Sequence, residues 1–350
     1  MPHTHHSHSG TFCAHADPSS TLALMFQTAL DRNFTVFAMT EHIPRLDTDL
    51  YPEEIEAKLD ARALARRFDE FVAEATRLRN LYESMGSLST LSSTSVAASA
   101  PEATGRSEAE AQSEKTGKME VLIGMETEWL PSSLPTITTL LSQHAGDIDF
   151  LVGSVHHVHG VPIDFDRATY VRAREACNPP TEEQLFGDYF DSHLEMLQAL
   201  RPKVVGHFDL IRLLSDEPDL GWLPLQPGPE DGAECHEHFE LRKDVWSKIV
   251  RNLEFVKSYG GLLEINTSAW RKGLEDPYPR QEIVETWVGM GGEVVLSDDS
   301  HSVSQIGTNY GRLKGFQGDC GVRRVAYLCR VDGKVEVRHV DVEELLGEGW

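Results

Sequence analysis

The sequence predicts an α/β fold in which parallel strands form a barrel. Short apolar runs flanked by turn residues recur along the 350 residues and are typical of buried strands. Segments long enough for a helix separate these runs, and a histidine or carboxylate follows nearly every one. Because the C-terminal ends of parallel barrel strands open onto one face, residues about 300 positions apart can converge there. We therefore expect a multinuclear metal site at that face.

The strands and helices can be placed from the same patterns. The predicted strands cover residues 34–39, 121–123, 150–152, 204–205, 262–265 and 294–296. Helical spacing of apolar residues predicts helices at about 20–33, 52–82, 181–200, 239–259, 280–290 and 302–311. Residues 325–330 and 334–339 flank Val331-Asp-Gly333, a pattern that indicates a β-hairpin. Residues 216–232 are rich in Pro and Gly and predict a long loop.

We expect a single domain over residues 1–350. One (β/α) barrel takes about 250 residues, so a barrel with an insertion accounts for the length of the chain. Residues at about 84–118 are rich in Ser, Ala, Thr and Glu and nearly lack large apolar side chains. Such a segment cannot bury enough surface to offset its ordering entropy. We expect a disordered insertion between barrel elements.

Charge and cysteine content narrow the class of function. A formal net charge of −24 argues against binding nucleic acid, although bound cations and a few arginines could still attract a small anion. The five cysteines are widely spaced without a CxxC pair, which favours a reducing compartment. No secretory leader and no run of about 18 apolar residues is evident. We expect a cytoplasmic protein without a membrane partner; the pattern does not indicate an oligomeric state.

Six short motifs carry the metal-binding chemistry. On an extended segment alternate residues face one side, so His6 and His8 can hold one ion, and His15 can curl back over a second. The motifs, in chain order, are His6-Ser-His8, Thr40-Glu41-His42, Gly124-Met125-Glu126, Gly153-Ser-Val-His156, Gly206-His207-Phe-Asp209-Leu210 and Asp298-Asp299-Ser300-His301.

With these motifs the chain resembles the polymerase and histidinol phosphatase (PHP) superfamily, and within it the longer histidinol-phosphate phosphatases of fungi. The resemblance implies a distorted (β/α)7 barrel with two or three divalent or trivalent ions, Zn, Mn or Fe, at its C-terminal face. These metals accept nitrogen and hard oxygen donors. The metal ligands that the resemblance implies are His6, His8, His15, His42, Glu126, His156, His207, Asp299 and His301.

At three places in this ligand set, neighbouring residues are alternative candidates for the same ligand. His3-Thr-His5 is an alternative HxH pair, and Thr4 stands where the family commonly has Asp. Glu128 competes with Glu126, and Asp298 competes with Asp299. The spacing of the family motifs favours His6 with His8, Glu126 and Asp299.

The segment Asn266-Thr-Ser-Ala-Trp-Arg271-Lys272 is similar to a stretch in which the family's arginine is associated with the substrate phosphate. A guanidinium offers a fixed fork of donors that suits phosphate, so Arg271 is the predicted phosphate anchor, with Lys272 second. Arg45 and Arg212 are weaker candidates. Asp209 and His157 are candidates for proton transfer to the leaving group, and His157 and His159 lie outside the ligand pattern.

The resemblance implies a metal-dependent phosphoric monoester hydrolase that converts L-histidinol phosphate to L-histidinol and phosphate in histidine biosynthesis. Metal-assisted phosphoester hydrolysis follows from the residues themselves, whereas the substrate follows from the resemblance. One alternative is another PHP phosphoesterase acting on a nucleotide or a different small phosphomonoester. Another is a noncatalytic metal-stabilised binding protein.

Overall fold

A computed structural model of the protein describes residues 1–94, 118–216, 218 and 233–345. The strands in this part of the chain are β1 (His3–Thr4), β2 (Val36–His42), β3 (Glu120–Glu128), β4 (Phe150–Ser154), β5 (His157–Val158), β6 (Val161–Pro162), β7 (Val204–Val205), β8 (Leu262–Asn266), β9 (Val294–Ser297), β10 (Arg324–Val331) and β11 (Lys334–Asp341). Seven of them form one parallel sheet in the order β1-β2-β3-β4-β7-β8-β9.

The sheet nearly closes on itself. Beyond β1 the chain stays extended, and the amide of His5 donates to the carbonyl of Leu296 in β9 at 3.1 Å. Ser7 then forms a parallel bridge with Ser300, just after β9. The structure therefore confirms the predicted distorted barrel of seven parallel strands, with the seam between the first strand and the last.

Helices cover the outer face of the sheet. They are α1 (Leu22–Asp31), α2 (Pro52–Glu56), α3 (Ala61–Thr94), α4 (Leu134–Gln143), α5 (Arg167–Glu175), α6 (Glu182–Leu200), α7 (Ala233–Tyr259), α8 (Ser268–Arg271), α9 (Gln281–Gly289), α10 (Tyr310–Asp319) and α11 (Val342–Leu345). None of the helices in the described ranges has the length and apolar composition of a membrane span.

The C-terminal hairpin closes one end of the barrel. Side chains alternate along β2, so Val36 and Ala38 face the barrel interior while their neighbours pack toward the helices. Ala326 and Leu328 of β10 join that interior cluster, and the amide of Leu328 donates to His5 Nε2 at 3.0 Å. The hairpin pairs β10 with β11 as predicted and lies where the strands begin, which leaves the opposite end for the site.

Three predicted helices have the wrong bounds, and the one expected over 239–259 begins at Ala233. The helix expected over 52–82 is interrupted between α2 and α3, because Lys58 has a φ of 56° and ends the first segment. The helix expected over 302–311 begins only at Tyr310. Gly307 and Asn309 both have positive φ, and the Gly307 amide donates to Asp298 Oδ2 at 2.6 Å. This loop wraps around Asp298 instead of forming a helix.

Two predicted segments fall largely outside the described residues. Helix α3 extends through Thr94, into the first part of the segment at about 84–118 that was expected to be a disordered insertion. Residues 95–117 lie outside the described part of the chain, and so do 217 and 219–232 of the predicted loop. The single domain with an insertion therefore stays a prediction.

Thr4→Val tests the seam of the barrel. The buried Thr4 hydroxyl donates to Asp298 Oδ1 at 3.2 Å and accepts from the Asp298 amide at 3.2 Å. Valine keeps the shape but leaves two groups of Asp298 without this partner, so we expect a loss of roughly 1–3 kcal/mol in the free energy of unfolding. Urea denaturation measures it. The control is Thr138→Val on the exposed face of α4, and equal losses in both variants would contradict the assignment.

Candidate metal centre

Side chains from several barrel strands converge at the C-terminal end of the barrel. His42 is the last residue of β2, and Glu126 lies two residues before the end of β3. His156, His207 and Asp299 each follow the last residue of their strand, β4, β7 and β9, by two positions. Alternation along β2, β3 and β4 puts His42, Glu126 and His156 on the interior side of the barrel, because positions two apart on an extended chain share a side. His207 and Asp299 reach the cluster from the turns that follow β7 and β9, and Asp299 has a φ of 45°.

Glu126 is the centre of the cluster. Its Oε2 atom lies 3.0 Å from His6 Nε2, 3.1 Å from His8 Nε2 and 2.9 Å from His42 Nδ1. Its Oε1 atom lies 3.1 Å from His207 Nε2. One buried carboxylate therefore brings together imidazoles from separate segments of the chain.

The structure places His6 and His8, and not the alternative pair, in this cluster. The extended chain turns His5 to the opposite side, where its Nδ1 lies 3.2 Å from the carbonyl of Leu296. His3 Nδ1 lies 3.1 Å from the carbonyl of Met1. Both alternative histidines are thus held by backbone groups at the other end of the barrel.

Glu128 orients two of the imidazoles. Its Oε1 lies 2.7 Å from His42 Nδ1, and its Oε2 lies 2.8 Å from His156 Nδ1. Arg45 Nη1 lies 2.8 Å from the same carboxylate, and the Tyr51 hydroxyl donates to it at 3.0 Å. Burial would raise the pKa of the Glu128 carboxyl, but His156 and Arg45 hold it well below its usual range. Glu128 therefore links two imidazoles of the cluster to Arg45.

Glu264 orients the imidazole of His6 in the same way. None of the sequence motifs indicated this residue. Its Oε1 lies 3.1 Å from His6 Nδ1, and its Oε2 accepts from the amide of His207 at 2.8 Å. The available signal was a carboxylate inside the apolar strand β8, because a buried charge is costly without partners.

A second group of donors lies on the outer side of the cluster. His15 Nε2 is 3.1 Å from His301 Nε2 and 3.3 Å from Cys13 Sγ. Donor atoms of His8, Cys13, His42 and His301 lie within 4.8 Å of one another. His15 and His301 therefore lie beside the cluster together with the Cys13 thiol, and their role as metal ligands stays a prediction.

Of the two neighbouring aspartates, Asp299 faces the cluster. Its Oδ1 atom lies 3.8 Å from both His6 Nε2 and His8 Nε2. The carboxylate of Asp298 is instead enclosed by Thr4, by the Gly307 amide and by the backbone that follows it. Asp298 thus holds the loop, while Asp299 is available to an ion.

Opposite charges compensate one another in this buried cluster. Burial would raise the pKa of the Glu126 carboxyl, but the imidazoles of His6 and His42 hold it well below its usual range. Burial would lower the pKa of His6, yet Glu126 and Asp299 raise it well above the usual value. For His156, Glu128 outweighs burial and raises the pKa to about 9. The carboxylates therefore depend on positive charge in their immediate surroundings.

The cluster fits metal ions. Among the described residues none forms a hydrogen bond of good geometry with His6 Nε2 or with either ring nitrogen of His8 and His42, although these atoms are buried. Three of these nitrogens lie close to carboxylate oxygens, but a short contact without hydrogen-bond geometry does not satisfy a buried polar atom, which calls for another partner. His6, His8 and Glu126 form one candidate set of donors, and Glu126, His156 and His207 form another. Imidazole nitrogen and carboxylate oxygen are donors that suit Zn, Mn or Fe.

A cavity of about 390 Å³ opens above the cluster. Arg271 and Lys272, the candidates for phosphate binding, are among the residues that line it. Four further polar side chains line it that the motifs did not indicate, and no spacing pattern marked them: Tyr51, Glu53, Asp164 and Gln305. The cavity therefore combines cationic and anionic groups.

Arg271 is fixed by the loop after β9. Its Nη1 donates to the carbonyl of Asp298 at 2.6 Å, and its Nη2 donates to the carbonyl of Asp299 at 2.9 Å. The guanidinium thus lines the cavity while it holds the backbone of a candidate metal ligand. The other two arginines considered for phosphate do not line the cavity: Arg45 pairs with Glu54 and Glu128, and Arg212 pairs with Asp209.

The structure does not place Asp209 and His157 where proton transfer was predicted. Neither is among the described side chains that line the cavity. Asp209 Oδ2 accepts from Arg212 Nε and from the amide of Arg280, both at 3.0 Å, so it anchors a loop. The His157 ring stacks on Tyr51 with centroids 5.6 Å apart. These contacts favour structural roles over the predicted proton transfer.

The chain is similar to known proteins over most of its length. The sequence profile of the PHP domain matches residues 4–268. The chain is 37% identical over 335 residues to the "Probable histidinol-phosphatase" of Schizosaccharomyces pombe, covering 95% of this chain and 90% of that protein. It is 33% identical over 341 residues to the histidinol-phosphatase of Saccharomyces cerevisiae, covering 94% and 91%.

A solved structure shares the fold. Histidinol phosphate phosphatase from Lactococcus lactis, complexed with zinc, L-histidinol and phosphate, superimposes with a TM-score of 0.55 at 16% identity. The superposition covers 96% of this chain and 98% of the other.

Glu128→Gln tests the support of the centre. The amide keeps the size but removes the charge that holds His42 and His156, so we expect metal affinity to fall about 10–100-fold. Competition with a chelator measures the affinity directly. The control is Glu120→Gln at the other end of β3, where the side chain accepts from the amide of Arg330. Unchanged affinity in Glu128→Gln would remove Glu128 from the support of the centre.

Proposed function

The chain belongs to the PHP domain family, and from this premise we propose that it hydrolyses L-histidinol phosphate to L-histidinol and inorganic phosphate. The observation that carries the proposal is a buried cluster of histidines and carboxylates beneath a cavity that is lined by both cationic and anionic side chains. Curated relatives that span nearly the whole chain are histidinol-phosphatases. The protein is therefore assigned as a phosphoric monoester hydrolase.

We propose two or three ions of zinc, manganese or iron in the centre. When bound, they would supply Lewis-acid stabilisation of phosphoryl charge and acidify a water molecule. The neighbour from Lactococcus lactis contains zinc, which supports this class of metal. The residues proposed to hold the ions are His6, His8, His15, His42, Glu126, His156, His207, Asp299 and His301.

Arg271 and Lys272 are proposed to receive the phosphate group. Both line the cavity, and the guanidinium of Arg271 is already oriented by two carbonyl acceptors. A preorganised cation loses little entropy when an anion binds, and it stabilises charge that develops on the phosphoryl oxygens.

The other end of the substrate is a cation. L-histidinol phosphate carries an ammonium group and a titratable imidazole. Asp164 and Glu53 line the cavity and are not part of the histidine cluster. We propose that these carboxylates receive the cationic end of the substrate, which would distinguish it from nucleotides and neutral alkyl phosphates.

We also propose a cytoplasmic location. Cys13, Cys177, Cys320 and Cys329 are free thiols, as expected in a reducing compartment.

Phosphate release from L-histidinol phosphate tests the function. With metal-analysed protein we expect kcat/KM for L-histidinol phosphate to be about 100-fold above the values for a nucleoside monophosphate and an aryl phosphate. Of the three substrates, histidinol phosphate is the one with a phosphate for the cations of the cavity and an ammonium group for its carboxylates. Equal values would favour a wider phosphoesterase. Absence of turnover despite bound metal would favour a noncatalytic binding protein. Arg271→Ala should raise KM more than it lowers the metal content, because Arg271 contacts only the backbone carbonyl of the candidate ligand Asp299. Lys314→Ala on the exposed face of α10 is its control.

Asp164→Asn tests the specificity. Loss of one partly exposed ion pair of about 1 kcal/mol should raise KM for histidinol phosphate roughly fivefold, and should leave KM for an aryl phosphate nearly unchanged. Steady-state kinetics with both substrates measure the difference. Asp166→Asn is a matched control in the same loop, because Asp166 caps α5 outside the cavity and Asn caps equally well. An equal rise in KM for both substrates would contradict the proposal that Asp164 receives the cationic end of the substrate.

A further inference from the structure

A second cluster of metal-binding side chains lies apart from the cavity. His159, Cys177 and Asp188 each offer a donor atom, and these atoms lie within 4.8 Å of one another. None of the three is among the described residues that line the cavity. Zinc lies about 2.0–2.3 Å from nitrogen, oxygen and sulfur ligands, so small side-chain adjustments bring all three atoms into reach of one ion. The spacing is therefore compatible with a single shared ion.

The backbone aims His159 at its partners. His159 and Gly160 connect β5 to β6 and have φ values of 53° and 74°. A two-residue connection with both φ values positive is the preferred tight turn of a β-hairpin. This turn directs the imidazole to α6, where Nε2 lies 2.7 Å from Asp188 Oδ2.

Asp188 is oriented by its own helix. Gln184, one turn earlier in α6, donates from Nε2 to Asp188 Oδ1 at 2.7 Å. The other oxygen, Oδ2, is the one that faces His159. Carboxylates that bind metals are commonly held in this way by a hydrogen bond from a neighbour.

Cys177 provides a buried thiol immediately after α5. Its Sγ donates to the carbonyl of Ala173 at 3.4 Å. Burial and the Asp188 carboxylate raise the pKa of the thiol to about 12. A catalytic nucleophile requires the opposite shift, so a nucleophilic role is disfavoured. A bound metal would displace the thiol proton, as it does at other thiolate sites.

We propose that His159, Cys177 and Asp188 form a peripheral zinc site separate from the catalytic centre. Imidazole nitrogen, thiolate sulfur and carboxylate oxygen together suit zinc better than magnesium or calcium. His159 is 44% exposed at its side chain, so water can occupy a fourth position. The ion would join the β5–β6 hairpin to α5 and α6. Asp164, which lines the cavity, lies two residues after the end of that hairpin. Bound zinc would therefore stabilise the part of the cavity wall that contains Asp164.

Zinc content of His159→Asn tests the proposal. Asn tolerates positive φ, so the turn should remain intact. After equilibration at buffered free zinc, the full-length wild-type protein should hold one equivalent more than His159→Asn and Cys177→Ser. Zinc should also raise the melting temperature of the wild type more than that of either variant, because a ligand bound only to the folded state stabilises it.

The matched control is His144→Asn. His144 and Asp69 form a similar exposed pair at 2.9 Å, and among the residues that the structure describes no thiol joins this pair in a group of candidate metal donors. Equal zinc in wild type and His159→Asn, or an equal loss in His144→Asn, would overturn the site.

Cobalt substitution supplies an independent readout. The spectrum of the wild type minus that of Cys177→Ser should contain a thiolate-to-cobalt charge-transfer band, and this subtraction removes any contribution from Cys13. A flat difference spectrum would exclude Cys177 as a ligand. Neither measurement involves phosphatase activity, so failure here would leave the proposed function untouched.

Discussion

The burial of negative charge around Glu126 is the constraint on which the rest of the structure depends. A carboxylate with almost no solvent exposure is costly unless positive charge surrounds it. The barrel meets this requirement by bringing imidazoles from separate strands to within about hydrogen-bond distance of one carboxylate. Metal ions would provide the same compensation more strongly, which explains why so many buried nitrogens at this end have no hydrogen-bond partner in the described ranges.

Two further carboxylates determine how the imidazoles face. Glu128 contacts Nδ1 of His156 and Glu264 contacts Nδ1 of His6, so Nε2 of each ring points to Glu126. His42 differs, because Glu126 and Glu128 both contact its Nδ1. Because each ring has two nitrogens, the partner of one nitrogen determines which direction the other points. Arg45 offsets part of the charge of Glu128 from behind. The net charge of the chain is −24, and the carboxylates of this centre are offset locally by imidazoles and by Arg45.

The lining of the cavity above the metal centre carries both kinds of charge. Arg271 and Lys272 provide positive charge, while Asp164 and Glu53 provide negative charge. A substrate with an anionic and a cationic end suits this arrangement better than a nucleotide. The peripheral cluster at His159 lies on the same segment as Asp164, so its occupancy bears on the rigidity of the cavity wall and not on the chemistry.

The sequence by itself determined the parallel barrel, because apolar runs and the polar residues after them fix which ends of the strands share a face. It also indicated the nine candidate ligands, since family motifs preserve spacing that the chemistry needs. Only the tertiary structure showed that Asp209 and His157 lie outside the cavity, that Glu264 supports His6, and that Asp164 lines the wall. Those roles depend on contacts between segments far apart in the chain. A local pattern such as the carboxylate inside the apolar strand β8 can mark a residue, but it does not identify the partner of that residue.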